Sequence, residues 1–394
     1  MERMIFSDRW YIEGKKAWFL SATRNELFAA DLKKKEIHLL ARIPNGKGYT
    51  WRDTTHCFKA DRQIVCLPDL GNSIWKYSLD SSKWKEIPIN APMGVRLGIS
   101  QYWTLDKVFL LYSPGLCSIL HFSVERNSVL NSDVVASESE EQLGRAVRVG
   151  DEIYIVSSVS PKIYCYQISS GRMKSIPLRG VDEGLHAICY DGKGFWLSGK
   201  KRKFYRWLEG EDDVRIYDLP PTFGVYNFDF PKSPSLDTEA ETYQFPTFFD
   251  IVYVNDQSWF IPGQTNQILY MDADSSCVNE LHIPEEDENS TSTQHRVLDH
   301  KYMVLYIRDD RYIGLYSCKN ACVLEIDAKK KSYEILQYDL NSIPFSFYGF
   351  RKEFSREFLP WLCRDLFFQN NSIKQDQPII LSGRDIYRAA MEDK

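Results

Sequence analysis

The sequence predicts an all-β fold, a seven-bladed β-propeller of four-stranded antiparallel blades, on three observations. A strand–turn–strand template recurs seven times in one register, its copies follow one another at 47, 45, 44, 41, 64 and 55 residues, and each is preceded by a short apolar run. A period in the forties built from short strands is the period of a propeller blade, and seven copies imply seven blades.

The template is clearest at Ile74-Trp75/Tyr77/Trp84, two adjacent apolar positions, a third after a spacer, and a fourth seven residues on. It recurs at Leu27-Phe28/Ala30/Ile37, Ile119-Leu120/Phe122/Val129, Ile163-Tyr164/Tyr166/Met173, Phe204-Tyr205/Trp207/Val214, Ile268-Leu269/Met271/Val278 and Val323-Leu324/Ile326/Tyr333. A further apolar residue follows three positions later in every copy except the third, where Ser132 stands. These are read as strands C and D. Strand B is the upstream apolar run, such as Ile64-Val65-Cys66-Leu67 or Phe195-Trp196-Leu197, and a weaker strand A precedes it. The turn after strand C often opens with Asp or Ser (Asp31, Ser78, Ser123, Asp272, Asp327), whose side chains can bond nearby turn backbone. A lone four-stranded sheet cannot bury both faces, whereas blades packed radially can. Met4-Ile5-Phe6 or Ile343-Pro344-Phe345-Ser346-Phe347 could supply a strand that seals the ring.

The aromatic in strand C followed by Trp in strand D, Tyr77 and Trp84, resembles the kelch repeat, and the resemblance covers roughly residues 8–340. It implies kinship with the propeller superfamily that includes the central domain of galactose oxidase. The kelch di-glycine after the second strand is absent from every copy. The copper chemistry of galactose oxidase needs a set of Tyr, Cys and His ligands that is not found in this sequence, so no metal and no cofactor are expected.

Net charge is −5 and the isoelectric point near 5.9, which argues against a nucleic-acid partner. No run of 18 apolar residues occurs, so no membrane span is expected. The first residues lack the apolar stretch of a secretory signal, and nine scattered cysteines do not form a disulfide framework; a cytoplasmic protein with free thiols is the expectation.

The propeller is expected over residues 1–347, with insertions at 221–247 and 285–299. The second insertion is rich in Glu, Asp, Ser and Thr and reads as a solvated loop. The first, with the residues just after it, carries Phe223, Tyr226, Phe228, Phe230, Tyr243, Phe245, Phe248 and Phe249 and reads as a lid or binding loop. Residues 348–394 form an expected helical C-terminal extension, with apolar residues at helical spacing from Phe354 to Phe368. Its end, Leu381 to Met391, reads either as a short capped helix or as part of an extra hairpin echoing Leu197 to Tyr205.

Phosphate loops, nucleophile elbows and paired histidines at ligand spacing are all missing from the sequence. His121, between apolar positions of a C strand, reads as structural, and Cys318 with Cys322 is a weak zinc candidate. The basic clusters 200–203 and 329–331 read as solvated turn charge, and the acidic run 137–141 as a loop facing water. What remains is the face where B–C and D–A loops surround the channel. There Tyr49, Trp51, Arg52, Arg96, Tyr102, Trp103 and Arg145 fall near the starts of A strands, with His186 in the next blade and Tyr226 and Phe228 from the insertion. Arg for charge and rings for stacking suit a polar or anionic ligand, such as a sugar or a peptide carboxylate. The expected function is therefore non-catalytic binding of a protein or glycan partner. The alternative is a lyase or hydrolase acting on a sugar through rim Arg, His and Tyr.

Overall fold

The computed structural model describes residues 7, 9–21, 25–44, 54–69, 71–90, 97–136, 141–211, 213–223, 227–229, 242–244, 246–263, 265–272, 277–284, 302–317 and 322–340. Seven four-stranded sheets span 11–42, 54–88, 101–134, 143–177, 187–218, 248–282 and 302–336, each with its strands A to D hydrogen-bonded in sequence order. The fold is a seven-bladed β-propeller. The first residue of the template is wholly buried in every blade: Leu27, Ile74, Ile119, Ile163, Phe204, Ile268 and Val323 are each 0% exposed. Strand D carries the opposite character. In blade 4, strand B (Glu152–Ser157) is buried for all but its first residue, whereas strand D (Arg172–Pro177) is half-buried or exposed throughout.

The described chain forms two compact units. One takes in the described residues of 7–142 with 304–317, 322–326 and 333–340, the other those of 143–303 with 327–332. Within the first, Phe58, Leu67, Leu97, Leu111 and Phe122 build a core between blades 2 and 3. Trp10 stacks on Phe19 at 4.5 Å and meets Tyr338 edge-on at 5.7 Å, while its backbone N–H donates to the Leu305 carbonyl. Asp339 forms a parallel bridge with Glu36 on the outer strand of blade 1. Both sealing segments expected from the sequence lie outside the described residues, and this bridge seats the chain after blade 7 onto blade 1. Within the second unit, Tyr154, Leu197, Tyr205 and Trp207 fill the space between blades 4 and 5. Trp196, Phe204, Phe248 and Phe260 do the same between blades 5 and 6.

Turn chemistry follows the sequence. Asp31 Oδ1 accepts from the backbone of Lys33 and Lys34, Ser123 Oγ from Arg126, and Asp327 Oδ1 from Lys329 and Lys330. The turn that follows Asp272 lies outside the described residues; its carboxylate accepts from the Gln257 amide. His121 is structural, its Nε2 lying 2.8 Å from Asp133. The break at Ser132 has a cause. Phe122 pairs with Val129 but His121 with Asn131, so Leu130 is the extra residue of a β-bulge and the register slips by one. Asp133 thus faces Ile119, as Ile87 faces Ile74 in blade 2.

One reading is extended and another changes. The basic cluster in blade 5 is solvated turn charge that is also partly paired, Lys201 and Lys203 sharing the exposed Asp182 at 2.7 Å each. Glu141 is buried instead of facing water; the rest of the acidic run lies outside the described residues. In the first insertion a short hairpin pairs Asn227–Asp229 with Thr242–Gln244, and buried Phe223 packs on Phe248 at 5.3 Å. The 285–299 insertion, the extension 348–394 and Cys318 are outside the described residues.

Candidate ligand-binding site

In the second unit the A strands of blades 4 and 6 carry the same device. Leu143 pairs with Ser157 but Ala146 with Ile155, and Phe248 pairs with Pro262 but Asp250 with Ile261. Arg145 and Phe249 are thereby set out of the regular ladders by β-bulges, a common way to re-aim a side chain beside a site. The two meet: the Arg145 guanidinium sits over the Phe249 ring at 4.6 Å. His186, just ahead of the A strand of blade 5 (Ala187–Tyr190), places its ring 5.9 Å from the same phenyl ring. Asp250 Oδ2 lies 3.9 Å from Arg145, close enough to balance charge yet beyond hydrogen-bond length.

Backbone bonds and close approaches fix this arrangement. Arg145 N–H donates to His186 O at 2.8 Å, His186 N–H to Ser198 O at 2.7 Å and Leu185 N–H to Ser157 O at 2.6 Å. Thr247 N–H donates to Gly199 O, and Gly263 N–H to Thr247 O. B–C turns and D–A loops of the unit therefore interlock at one end, as expected. The approaches are too tight for side chains: a Cβ on Gly144 would lie 2.7 Å from His186 O, and one on Gly184 2.0 Å from Ser158 O.

The charges are unequal. Both oxygens of Glu183 are occupied, Oε2 by the backbone N–H groups of Lys200 and Lys201 and Oε1 by the Tyr205 hydroxyl. No hydrogen bond to the Lys200 ammonium occurs among the described residues; burial lowers its pKa and the nearby Glu183 charge opposes that shift. Burial pushes the His186 imidazole down to about 3; the Arg145 charge adds to this, Asp250 opposes it and Lys200 contributes slightly. His186 Nε2 is buried and has no hydrogen-bond partner among the described residues. The site therefore sets a neutral imidazole beside two cations, Arg145 and Lys200, each with a carboxylate near it, Asp250 and Glu183.

The His186 shift has a testable sign. An unfolded histidine titrates near 6.5, above the folded value, so the fold favours the neutral ring; its contribution is complete above pH 6.5 and is lost as pH falls toward 3. The wild-type urea midpoint is expected to fall more than that of His186→Gln between about pH 7 and about pH 4.5. Parallel declines would contradict the buried, neutral ring.

Of the eight site residues expected from sequence, Arg145 and His186 are brought together. Trp103 lies mid-strand in blade 3 (Gln101–Leu105), opposite Leu110 and 6.5 Å from the Tyr112 ring. Trp51, Arg52, Arg96 and Tyr226 lie outside the described residues, as does the side chain of Phe228. Asp250 was not anticipated; Phe249 was expected only as one aromatic of the binding-loop insertion, and Lys200 only as a member of a basic turn cluster. The polar Asp250 interrupting the apolar run from Phe248 to Val254 was the available signal.

No family model and no curated protein sequence matches the chain. Solved structures do. A streptogramin B lyase is similar at 14% identity and TM-score 0.55, over 85% of this chain and 93% of that one. BamB from Moraxella catarrhalis is similar at 9% and 0.51, over 82% and 83%. A chain of the mitotic checkpoint complex is similar at 11% and 0.53, over 86% and 89%. At such identities the likeness defines the class, a seven-bladed propeller, and nothing narrower. Among the described residues no helix is long and apolar enough to cross a membrane.

Proposed function

We propose that the protein is a non-catalytic binding propeller that holds an anionic group of a protein partner, such as a peptide carboxylate, on the loop face of blades 4–6. The pair of β-bulges that set Arg145 over Phe249 beside His186 carries this reading. A guanidinium offers a fork of donors matched to a carboxylate, and Phe249 and Asp250 hold it in orientation. A glycan fits less well, because the one ring at the centre of the site is already covered by that guanidinium. Similar propellers include BamB and a member of the mitotic checkpoint complex, and one is a lyase. The lyase reading needs a general base, and an imidazole held at about 3 is a weak proton acceptor at neutral pH. The kelch-like kinship is supported by the contact of Tyr77 with Trp84 at 4.9 Å. The reducing, cytoplasmic setting rests on the odd number and scattered spacing of the nine cysteines.

The test is to identify proteins retained by the wild type and titrate the captured partner against Arg145→Ala and Lys200→Ala. Removing one charge-assisted contact should weaken binding by about 10- to 100-fold for Arg145, and less for Lys200. Equal affinity in both variants would overturn the reading.

A further inference from the structure

A second surface lies in the first unit, where the outer edges of blades 2 and 3 flank a groove of about 670 Å³. Its floor is apolar: Ile87, Ile89 and Leu120 are 4%, 6% and 2% exposed. Its lip is made by the bulge residue Leu130, which is 44% exposed in a strand (Ser128–Val134) that ends its sheet. A leucine set out of its ladder and left in water is the same device that re-aims Arg145 and Phe249. It enlarges the apolar surface of the groove, while the strand's outer edge leaves backbone groups available for pairing.

The charge of the groove selects the occupant. Lys85 and Arg126 line it, and neither has a carboxylate partner among the described residues. Glu86, the one acid in the lining, is engaged by the Ser73 hydroxyl at 2.7 Å. A third cation stands behind them: Lys76 is bonded to Val124 O and Asn127 Oδ1, and the Lys85 charge adds to burial in lowering its pKa.

We propose that this groove takes an extended segment of a protein partner in which acidic and leucine-type side chains stand at every second position and so share the face turned to the groove. The leucines lie against Ile87, Leu120 and Leu130, the backbone runs along the outer edge of blade 3, and the acids meet Lys85 and Arg126. Added-strand recognition works in this way, with main-chain bonds for affinity and alternate side chains for specificity.

The probe is a fluorescein-labelled synthetic peptide, Gly-Asp-Glu-Leu-Asp-Leu-Glu-Gly, followed by anisotropy with the full chain. Controls replace its acids by lysine or its leucines by alanine. Saturable binding is expected for the parent peptide alone. Leu130→Ala should weaken it about fivefold, and Lys85→Glu/Arg126→Glu more than about tenfold, both being surface changes that leave the core intact. Arg145→Ala should leave it unchanged. The proposal is overturned by absence of binding up to about 1 mM, by equal binding of the lysine peptide, or by indifference to the groove variants. Loss of binding in Arg145→Ala alone would place the peptide on the loop face and overturn it equally.

Discussion

Replacing Asp191 by alanine is expected to destabilise the second unit by about 3–5 kcal/mol, the cost of stranding a buried charge. Asp191 is fully buried and all its acceptor capacity is used. Oδ1 takes the backbone N–H groups of Lys193 and Gly194 at 2.9 and 2.8 Å, and Oδ2 takes the Trp196 indole and the Arg206 guanidinium at 2.9 and 2.7 Å. Arg206, only 11% exposed, stacks on the Trp196 ring at 4.9 Å. The carboxylate therefore closes the A–B turn of blade 5, orients its largest core side chain and neutralises the one cation packed against that side chain. Asparagine does not rescue it, because its amide points donors at the indole and guanidinium. Adding Arg206→Leu to Asp191→Ala should recover part of the loss, since the stranded charge is then gone. Urea unfolding of the three variants at constant slope measures this. A loss under about 1 kcal/mol for the single variant would mean that water reaches Arg206.

The repeat was legible because it is anchored in strand C, where the first template residue is buried in every blade, and continues into mostly half-buried positions of strand D. Even its single failure, Ser132, is a register slip and not a missing strand. The candidate site was half legible. Arg145 and His186 stand out as polar residues at the entrances of A strands, but their company depends on bulges. One residue inserted into an A strand leaves its apolar content unchanged while turning Phe249 toward a neighbouring blade. Lys200 was concealed for another reason. It sits in a run of four cations, and only the ion pairs of Asp182 with Lys201 and Lys203 reveal which members are paired. Leu130 belongs to the same class of hidden feature: an ordinary strand leucine in the sequence, a lip residue in the fold.

Gly144→Ala should show that the loop-face geometry, and not the chemistry of Arg145 alone, makes the site. A methyl group there would come within 2.7 Å of the His186 carbonyl oxygen and the Val156 side chain, and 3.0 Å from the Leu185 carbonyl oxygen. Two of these three neighbours are backbone, so relief requires the A strand of blade 4 to move away from the loop that carries His186. That movement breaks the bond from Arg145 N–H to His186 O and draws the guanidinium off Phe249. Overpacking of this kind costs about 1–3 kcal/mol, and the lost backbone bond adds about 1 kcal/mol. The expected result is a folded protein with a lower urea midpoint and partner affinity reduced at least as far as in Arg145→Ala, about tenfold or more. Gly150→Ala is the matched control: its positive φ of 59° makes the substitution strained, but no atom lies within 4 Å of the added methyl, and the turn is remote from Arg145 in the strand. It should lose stability and keep affinity. If both glycine variants bind like the wild type, the tight seam between blades 4 and 5 supports the fold alone and the ligand sits elsewhere.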